Sequence, residues 1–423
     1  MSRKVPEGWR SVRLKSLCDF IGRGDAPQYA ESETGVWAIS QKCIRDGFID
    51  TKFSRPHAPS KQIKGRSFLR SGDVCINSTG TGTLGRVAMW QKGDTASFFA
   101  DMHVTIIRTN SSASPKIVSE WLSLPSVQEE IFTTCVTGST NQIELSRVSL
   151  EEISILVPPI QEQRRIAEIL SSVDEAIAAT QAVINQTRTV KQGVLKHLLT
   201  KGIGQTRLKQ TEIGEIPEGW DVKRFRDVCS LITSGSRGWA QYYSESGALF
   251  LRSQNVRCGC LDLTDRQYVR VPAGTEGART RIVADDLLFT ITGNSVGNVS
   301  SAGDIGEAYV SQHIALARLN DPMMSEMLVA FFSPDGPGNS QILNAQYGQS
   351  KPGLSLENVR NFFIPIPPRS EIERITDVVR NISMVESQSA TALNEKISLK
   401  SALMADLLTG RKRVPLPENI AAE

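Results

Sequence analysis

At 423 residues the chain is too long for one ordinary core and predicts two or three domains. Its 40% hydrophobic share is that of a globular protein, and a formal net charge of +3 announces no nucleic-acid partner by itself. Seven scattered cysteines without a CxxC pair, an opening MSRKVPEGWRSVRLK without an apolar signal core, and no apolar run near the roughly 18 residues of a membrane span argue against a disulfide framework, a zinc knuckle and a membrane protein, and a reduced, cytoplasmic protein is expected.

The opening words return. Val5-Pro6-Glu7-Gly8-Trp9 recurs as Ile216-Pro217-Glu218-Gly219-Trp220. Val157-Pro158-Pro159 recurs as Ile366-Pro367-Pro368, and Leu198-Leu199-Thr200 as Leu407-Leu408-Thr409, both at one interval. The chain is an internal duplication, which predicts a pseudo-two-fold object suited to a target with two halves, such as duplex DNA.

Residues 1–157 are broken by Gly, Ser, Thr, Asn and Pro around short strand-like runs, Asp73–Ile76 and His103–Ile107, with one helix candidate at Ile117–Leu122. Cys18, like Cys229 in the second half, reads as a small buried apolar residue. Between Lys42 and Arg70 eight basic residues face only Asp46 and Asp50. That window is a solvated basic face or a nucleic-acid surface. Gln41, Lys42 and Arg45 at its start have side chains that match base edges in the major groove. Thr140 and Gln142 form a second polar cluster, and each group is equally readable as an ordinary polar loop.

Gly80-Thr81-Gly82-Thr83-Leu84-Gly85 is a formal GxGxxG, the pattern of a dinucleotide site. That motif must open a helix, whereas Arg86–Trp90 runs at once into the turn-like Gln91-Lys92-Gly93-Asp94. The loop is therefore a turn between strands or a backbone-amide loop that approaches phosphates, with Thr81, Thr83 and Arg86 as candidate contacts. His103 and Arg108 recur as His313 and Arg318. They read as an interior histidine and a surface arginine, because no nucleophile recurs beside both in a triad-like order.

From Ile160 to Thr200 there is no proline and one glycine, with Pro158-Pro159 at the entrance and Gly202 at the exit. This predicts a helix of about 40 residues, roughly 60 Å long. Ile166, Ile169, Val173, Ile177, Val183, Val190 and Val194 form its apolar stripe. So long a stripe needs a partner, and its own copy from Pro367 to Gly410 offers Ile375, Val378, Ile382, Val385, Leu399 and Leu403. Two-fold symmetry would make the pair antiparallel. Packing of each helix on its neighbouring globule is the alternative.

Residues 201–216 read as a linker. Residues 217–366 repeat the first globule, with strands at Leu287–Ile291 and His313–Leu316 and a helix candidate at Met323–Phe332. Arg252, Gln254, Asn255 and Arg257 answer the first polar cluster. Asn294, Ser295 and Asn298 answer the glycine loop, and Gln349 and Lys351 the second cluster. The predicted organisation is α+β: β-rich globules at 1–157 and 217–366, helices at 158–200 and 367–410, a linker at 201–216 and a tail at 411–423. No Walker A sequence, HExxH or Asn/Asp-Pro-Pro-aromatic tetrapeptide is present, so neither nucleotide hydrolysis nor amino-methyl transfer shows on the face of the chain.

The duplicated PEGW openings, the glycine loops after Asp73 and Asp286, and the Pro-Pro helix entries, in that order, resemble the DNA specificity subunit of type I restriction–modification systems. Pro158-Pro159-Ile160-Gln161-Glu162-Gln163-Arg164-Arg165-Ile166 is close to that family's first helix entry; the second departs by placing Ile372 where Gln163 stands. The resemblance covers nearly the whole chain. It implies two target-recognition domains, each reading half of an asymmetric bipartite site in double-stranded DNA, and an antiparallel coiled-coil pair that sets the spacer. It implies a chain without catalytic residues, metal or cofactor of its own. Two methyltransferase subunits would carry S-adenosylmethionine and methylate adenine, and restriction subunits would join in a full complex. Two other readings remain: a helical repeat adaptor that never touches DNA, and a nucleotide-dependent enzyme using the Gly80–Gly85 loop.

Overall fold

The structure, a computed structural model, describes residues 5–415 except 46, 93–96, 140–141, 272–274 and 349–351. Thr140, Gln349 and Lys351 lie outside the described residues. The fold is α+β and divides into two compact units. Unit 1 is residues 1–180 with 392–423, and unit 2 is residues 181–391. The division falls within both long helices, Ile160–Lys201 and Arg369–Leu407.

In unit 1 a four-stranded antiparallel sheet runs, in spatial order, Cys18–Arg23, Val104–Thr109, Val74–Asn77 and Val87–Met89. A second sheet sets Val36–Ile39 parallel to Ser97–Ala100 and antiparallel to Arg55–Pro56. The central strand Val74–Asn77 is buried along its whole length, which is why its sequence is an apolar run rather than an alternation. Arg10–Arg13 pairs with Ser154–Val157, so the globule is tied at its two ends just before the Pro-Pro pair.

Unit 2 repeats this plan. Cys229–Ser234, Ile314–Leu319, Leu287–Thr290 and Val299–Ser301 stand in the same order, and Ala248–Leu251 lies parallel to Ala308–Val310. Asp221–Arg224 pairs with Phe363–Ile366. The helix candidates are found at Pro115–Leu122 and Ser325–Phe332. The expected linker carries structure of its own: Leu208–Thr211 and Gly214–Pro217 form an antiparallel hairpin whose Ile216 and Pro217 are buried.

The globule cores do not stop at the sheets. Trp9, Trp121 and Ile155 share one apolar cluster with Ile166 and Leu170 of the first long helix and Met404, Leu407 and Leu408 of the second. In unit 2, Trp220, Phe225 and Ile364 share theirs with Leu195 and Leu199 of the first helix and Ile372, Ile375 and Val379 of the second. Full burial of each such side chain contributes about 1.5–3 kcal/mol. Each helix segment thus packs on its globule and on the other helix at once. Asp174 meets Lys400 and Glu162 meets Arg413, so within unit 1 the two chain directions oppose. Within unit 2 Arg188 and Lys191 meet Glu386, and Ile203 meets Glu371, with the same sense.

Four residues expected on the helix interface are exposed instead: Val183 (53%), Val190 (55%), Val385 (45%) and Leu399 (52%). The buried line runs through Ile166, Leu170, Ile184, Leu195 and Leu199, and through Ile372, Ile375, Val379, Met404 and Leu408. Ile184 follows Ile166 by about five turns of 3.6 residues. A heptad reading imposes 3.5 residues per turn and drifts about 20° per heptad from the straight helix; Val183, Val190 and Val385 line one groove with Ile382, bordering the helix pair without being covered by it. Ile169, Val173, Ile177, Val194, Val378, Ile382 and Leu403 are half-buried, and Ile166 and Ile375 fully buried.

Both helices end on a left-handed glycine, Gly202 (φ 68°) and Gly410 (φ 69°). A Cβ at Gly202 would lie 2.5 Å from Glu371 Oε1, and one at Gly410 2.3 Å from Pro6 Cγ. Helix exits therefore press against the PEGW turns. Trp9 Nε1 donates to buried Glu162 at 3.0 Å, as Trp220 Nε1 does to Glu371 at 2.9 Å. Gln163 accepts from the Ser114 amide and donates to the Ser112 and Pro158 carbonyls; Ile372, at its place in the copy, is packed in the apolar core.

Candidate nucleic-acid interface

In unit 1 the glycine loop follows buried Asn77 and leads into Val87–Met89, a strand, so no helix terminus faces it. Gly80, Gly82 and Gly85 all have φ near +90°, which only glycine adopts cheaply. The amides of Thr83, Leu84, Gly85 and Arg86 are spent inside, on Gly80, Asn77 and Thr83 carbonyls. The loop is therefore not a cradle of free amides for phosphate over those four residues. Asn77 Nδ2 donates to the Gln41 and Thr83 carbonyls at 3.1 Å each, which fastens the loop to the segment carrying Gln41.

Around that junction the side chains form a chain. The Thr79 and Thr83 hydroxyls each stand 3.4 Å from Gln41 Oε1, and His103 Nδ1 lies 2.8 Å from Thr79 Oγ1. Gln41 is half-buried, while Lys42, Thr81 and Gln142 are exposed. Arg45 lies over the Phe53 ring at 4.5 Å, and Arg86 bonds the Gly82 carbonyl. Part of the basic window is spent locally: Lys61 donates to the Ala26 carbonyl and Lys64 pairs with Asp25. Beside it stand exposed Phe48 (56%) and Phe53 (44%), and Arg55 stacked on Tyr29 at 3.5 Å. Sequence reasoning did not single out these aromatics; their interleaving with Arg45, Lys52 and Arg55 was the available signal.

In unit 2 the matched residues are arranged differently. Asn255 is 2% exposed and its amide nitrogen holds the Asp262 and Asp265 carbonyls, so it is a structural residue and not a base contact. Asn298 is likewise occupied, donating to the Val256 carbonyl and accepting from Cys258 Sγ. Gln254 is exposed and its Nε2 donates to Asp265 Oδ2 at 2.6 Å. Arg252 pairs with Asp265 at 3.0 Å and Arg257 with Asp262 at 3.3 Å. The hydroxyl and amide of Thr264 hold the Asp262 carboxyl below its usual range. Asn294 is exposed and Ser295 half-buried.

The repeated histidines and arginines differ from expectation. His103 is only half-buried and His313 is exposed; each shares a hydrogen bond through Nδ1 with a threonine, Thr79 or Thr292. Arg108 is not a surface residue. It forks onto buried Asp73 at 2.7 and 2.8 Å, as Arg318 does onto Asp286 at 2.8 and 2.9 Å. These pairs are scaffold, because a carboxylate taken out of water needs a cation and hydrogen bonds. Burial pushes the Cys18 and Cys229 thiols up to about 12. Cys258 and Cys260 are exposed, and among the described residues no cluster of three metal-ligating side chains occurs. Among those residues no helix is long and apolar enough to cross a membrane.

Comparison with known proteins agrees with this architecture. Residues 6–187 match the type I restriction modification DNA specificity domain. The chain is 24% identical to the type I restriction enzyme MjaVIII specificity subunit of Methanocaldococcus jannaschii, over 97% of this chain and 94% of that one. It is 22% identical to the EcoKI specificity subunit of Escherichia coli, over 99% and 93%. Among solved structures, the type I S subunit of M. genitalium superposes with a TM-score of 0.60 at 15% identity, covering 96% of this chain and 99% of that one.

Proposed function

We propose, from the premise that residues 6–187 belong to the type I restriction modification DNA specificity family and that the chain resembles specificity subunits along its length, that it is the sequence-reading, non-catalytic subunit of a type I restriction–modification complex. Each globule reads one half of a bipartite site in double-stranded DNA. The observation that carries this is the duplicated scaffold with differently arranged polar side chains at matched places: the same two-sheet plan is built twice, yet Lys42 is answered by Asn255, Gln41 meets Thr79 and Thr83 where Gln254 meets Asp265, and Arg45 lies over Phe53 where Arg257 pairs with Asp262. A scaffold that keeps its strands and changes its polar loops suits two different words.

The paired long helices set the unread spacer and dock two methyltransferase subunits, which bring S-adenosylmethionine and methylate adenine; restriction subunits join the full complex. A helix of 42 residues is roughly 63 Å long, under two B-DNA turns of about 34–36 Å each. The test is a map of methylated adenines in a host expressing the chain with its modification subunit. Exchange of residues 1–157 for another such domain is expected to change one half-site only. Insertion of one helical turn into both long helices is expected to lengthen the spacer and leave both half-sites unaltered. Methyl transfer by the purified chain alone would refute the non-catalytic reading.

A further inference from the structure

The two glutamines that begin the matched polar segments are locked in opposite senses. An amide side chain has one end that only accepts and one that only donates, so whatever fixes one end decides what the other offers. Gln41 turns its oxygen inward. Thr79 Oγ1 and Thr83 Oγ1 both approach Oε1 at 3.4 Å, and the Asn77 amide clamps the Gln41 carbonyl. His103 Nδ1 lies 2.8 Å from Thr79 Oγ1; in the tautomer with the proton on Nδ1, Thr79 accepts from His103 and gives its single hydroxyl proton to Gln41. A Cβ at Gly80 would sit 2.6 Å from Oε1, so the glycine loop closes directly over the oxygen end. The amide nitrogen of Gln41 is left to face outward with two donors.

Gln254 is the reverse. Its Nε2 donates to Asp265 Oδ2 at 2.6 Å, and a carboxylate accepts only, so the nitrogen end must point there. Asp265 is itself held by Arg252 at 3.0 Å. Gln254 is exposed, and its free end is the acceptor oxygen.

We infer that Gln41 and Gln254 are specificity-determining residues of opposite polarity: Gln41 reads a base with two acceptors in the major groove, guanine, and Gln254 reads an exocyclic amino group, that of adenine or cytosine. Guanine presents O6 and N7 together, which matches a two-donor amide, while adenine N6 and cytosine N4 present donors to a lone acceptor. Thr79 is a positioning residue that acts through Gln41. This rests on the sequence-reading function proposed above.

The experiment maps the methylated motif in host DNA for the full chain co-expressed with its modification subunit, comparing wild type with Gln41→Glu, Thr79→Val, Thr79→Ser and Gln254→Leu. Glutamate at 41 keeps an inward acceptor but offers an acceptor outward, so one guanine position is expected to shift toward cytosine or adenine by about tenfold or more. Thr79→Val frees the amide to turn and relaxes the same position, whereas Thr79→Ser keeps the hydroxyl and the motif. Gln254→Leu relaxes one position in the other half-site. Motifs unchanged by Gln41→Glu and Gln254→Leu, both changes in one half-site, or Thr79→Ser behaving as Thr79→Val would overturn the inference. Should Gln41→Glu abolish methylation through misfolding, the threonine pair decides. A wild-type chain without any two-part motif overturns the sequence-reading function itself, a different result from a motif that ignores the glutamines.

Discussion

At the scale of single residues, buried carboxylates govern the globules. Asp73 is 1% exposed and takes both Arg108 nitrogens and the Arg70 amide. Arg108→Met leaves that charge unpaired and is expected to destabilise unit 1 by about 3–5 kcal/mol, seen as a lowered urea midpoint. Arg318→Met should cost less, since the Arg318 side chain is 33% exposed and water can replace part of its work. Asp101 differs: burial pushes its carboxyl up to about 6 from 3.8, against the His103 amide that donates to it. Its folded form therefore holds a proton that the unfolded chain releases between about pH 4 and pH 6. Stability from this group is lost as pH rises through that window, and the buried anion is a burden at neutral pH. Asp101→Asn is expected to gain on the order of 2 kcal/mol over wild type at pH 7.5 and to lose that advantage near pH 4. Chemical denaturation across pH measures it; an advantage that grows toward acid pH contradicts the assignment.

At the scale of elements, the long helices are explained by period. Leu199 is 1% exposed in the unit 2 core, whereas Val190 is 55% exposed. Leu199→Ala is therefore expected to cost about 2–5 kcal/mol, and Val190→Ala no more than about 0.5 kcal/mol, by thermal or urea unfolding. Equal effects would restore the heptad assignment. Charge also fastens helix to globule, but unequally. In unit 1, Lys116 of Pro115–Leu122 meets Glu120 and Asp174, and Lys400 meets the same two carboxylates. Burial alone would lower the Lys116 ammonium; Glu120 and Asp174 outweigh it and hold it above its usual value. In unit 2 the helices keep Arg188 and Lys191 on Glu386, but Ala330 and Ser383 stand at the places of Glu120 and Asp174. The repeat thus preserves apolar packing and drops a polar network. Apolar burial stabilises outright, whereas the desolvation cost of a buried ion pair offsets much of its attraction.

At the scale of the whole molecule, unit 1 is assembled from both ends of the sequence. Met404, Leu407, Leu408 and Val414 belong to the core of Trp9 and Trp121, and Arg413 forks onto Glu162 at 2.7 and 2.8 Å. Ending the chain after Leu403 strips these groups from unit 1 alone. Hydrogen exchange is expected to show lost protection across residues 5–157 and retained protection across 217–366. Uniform loss over both would mean that the units do not fold separately.

Sequence by itself determined the duplication, the α+β class, the glycine-ended helices and the strand runs, because these depend on local composition and on side-chain spacing along one element. The PEGW turns were legible as words but not as sockets for helix exits; contact between Gly410 and Pro6 joins residues at opposite ends of the chain. Gln41 and Gln254 were legible as base-edge chemistry, yet their senses were not. What fixes them is Thr79 and His103 in one globule and Asp265 in the other, brought near by strand pairing and turns. Asn255 looked like its neighbours in sequence and proved buried, since exposure is set by how the hairpin folds over it. The long-helix stripe was visible, but its line required the true 3.6-residue period acting over many turns, and only packing against globule and partner helix together shows which side is covered.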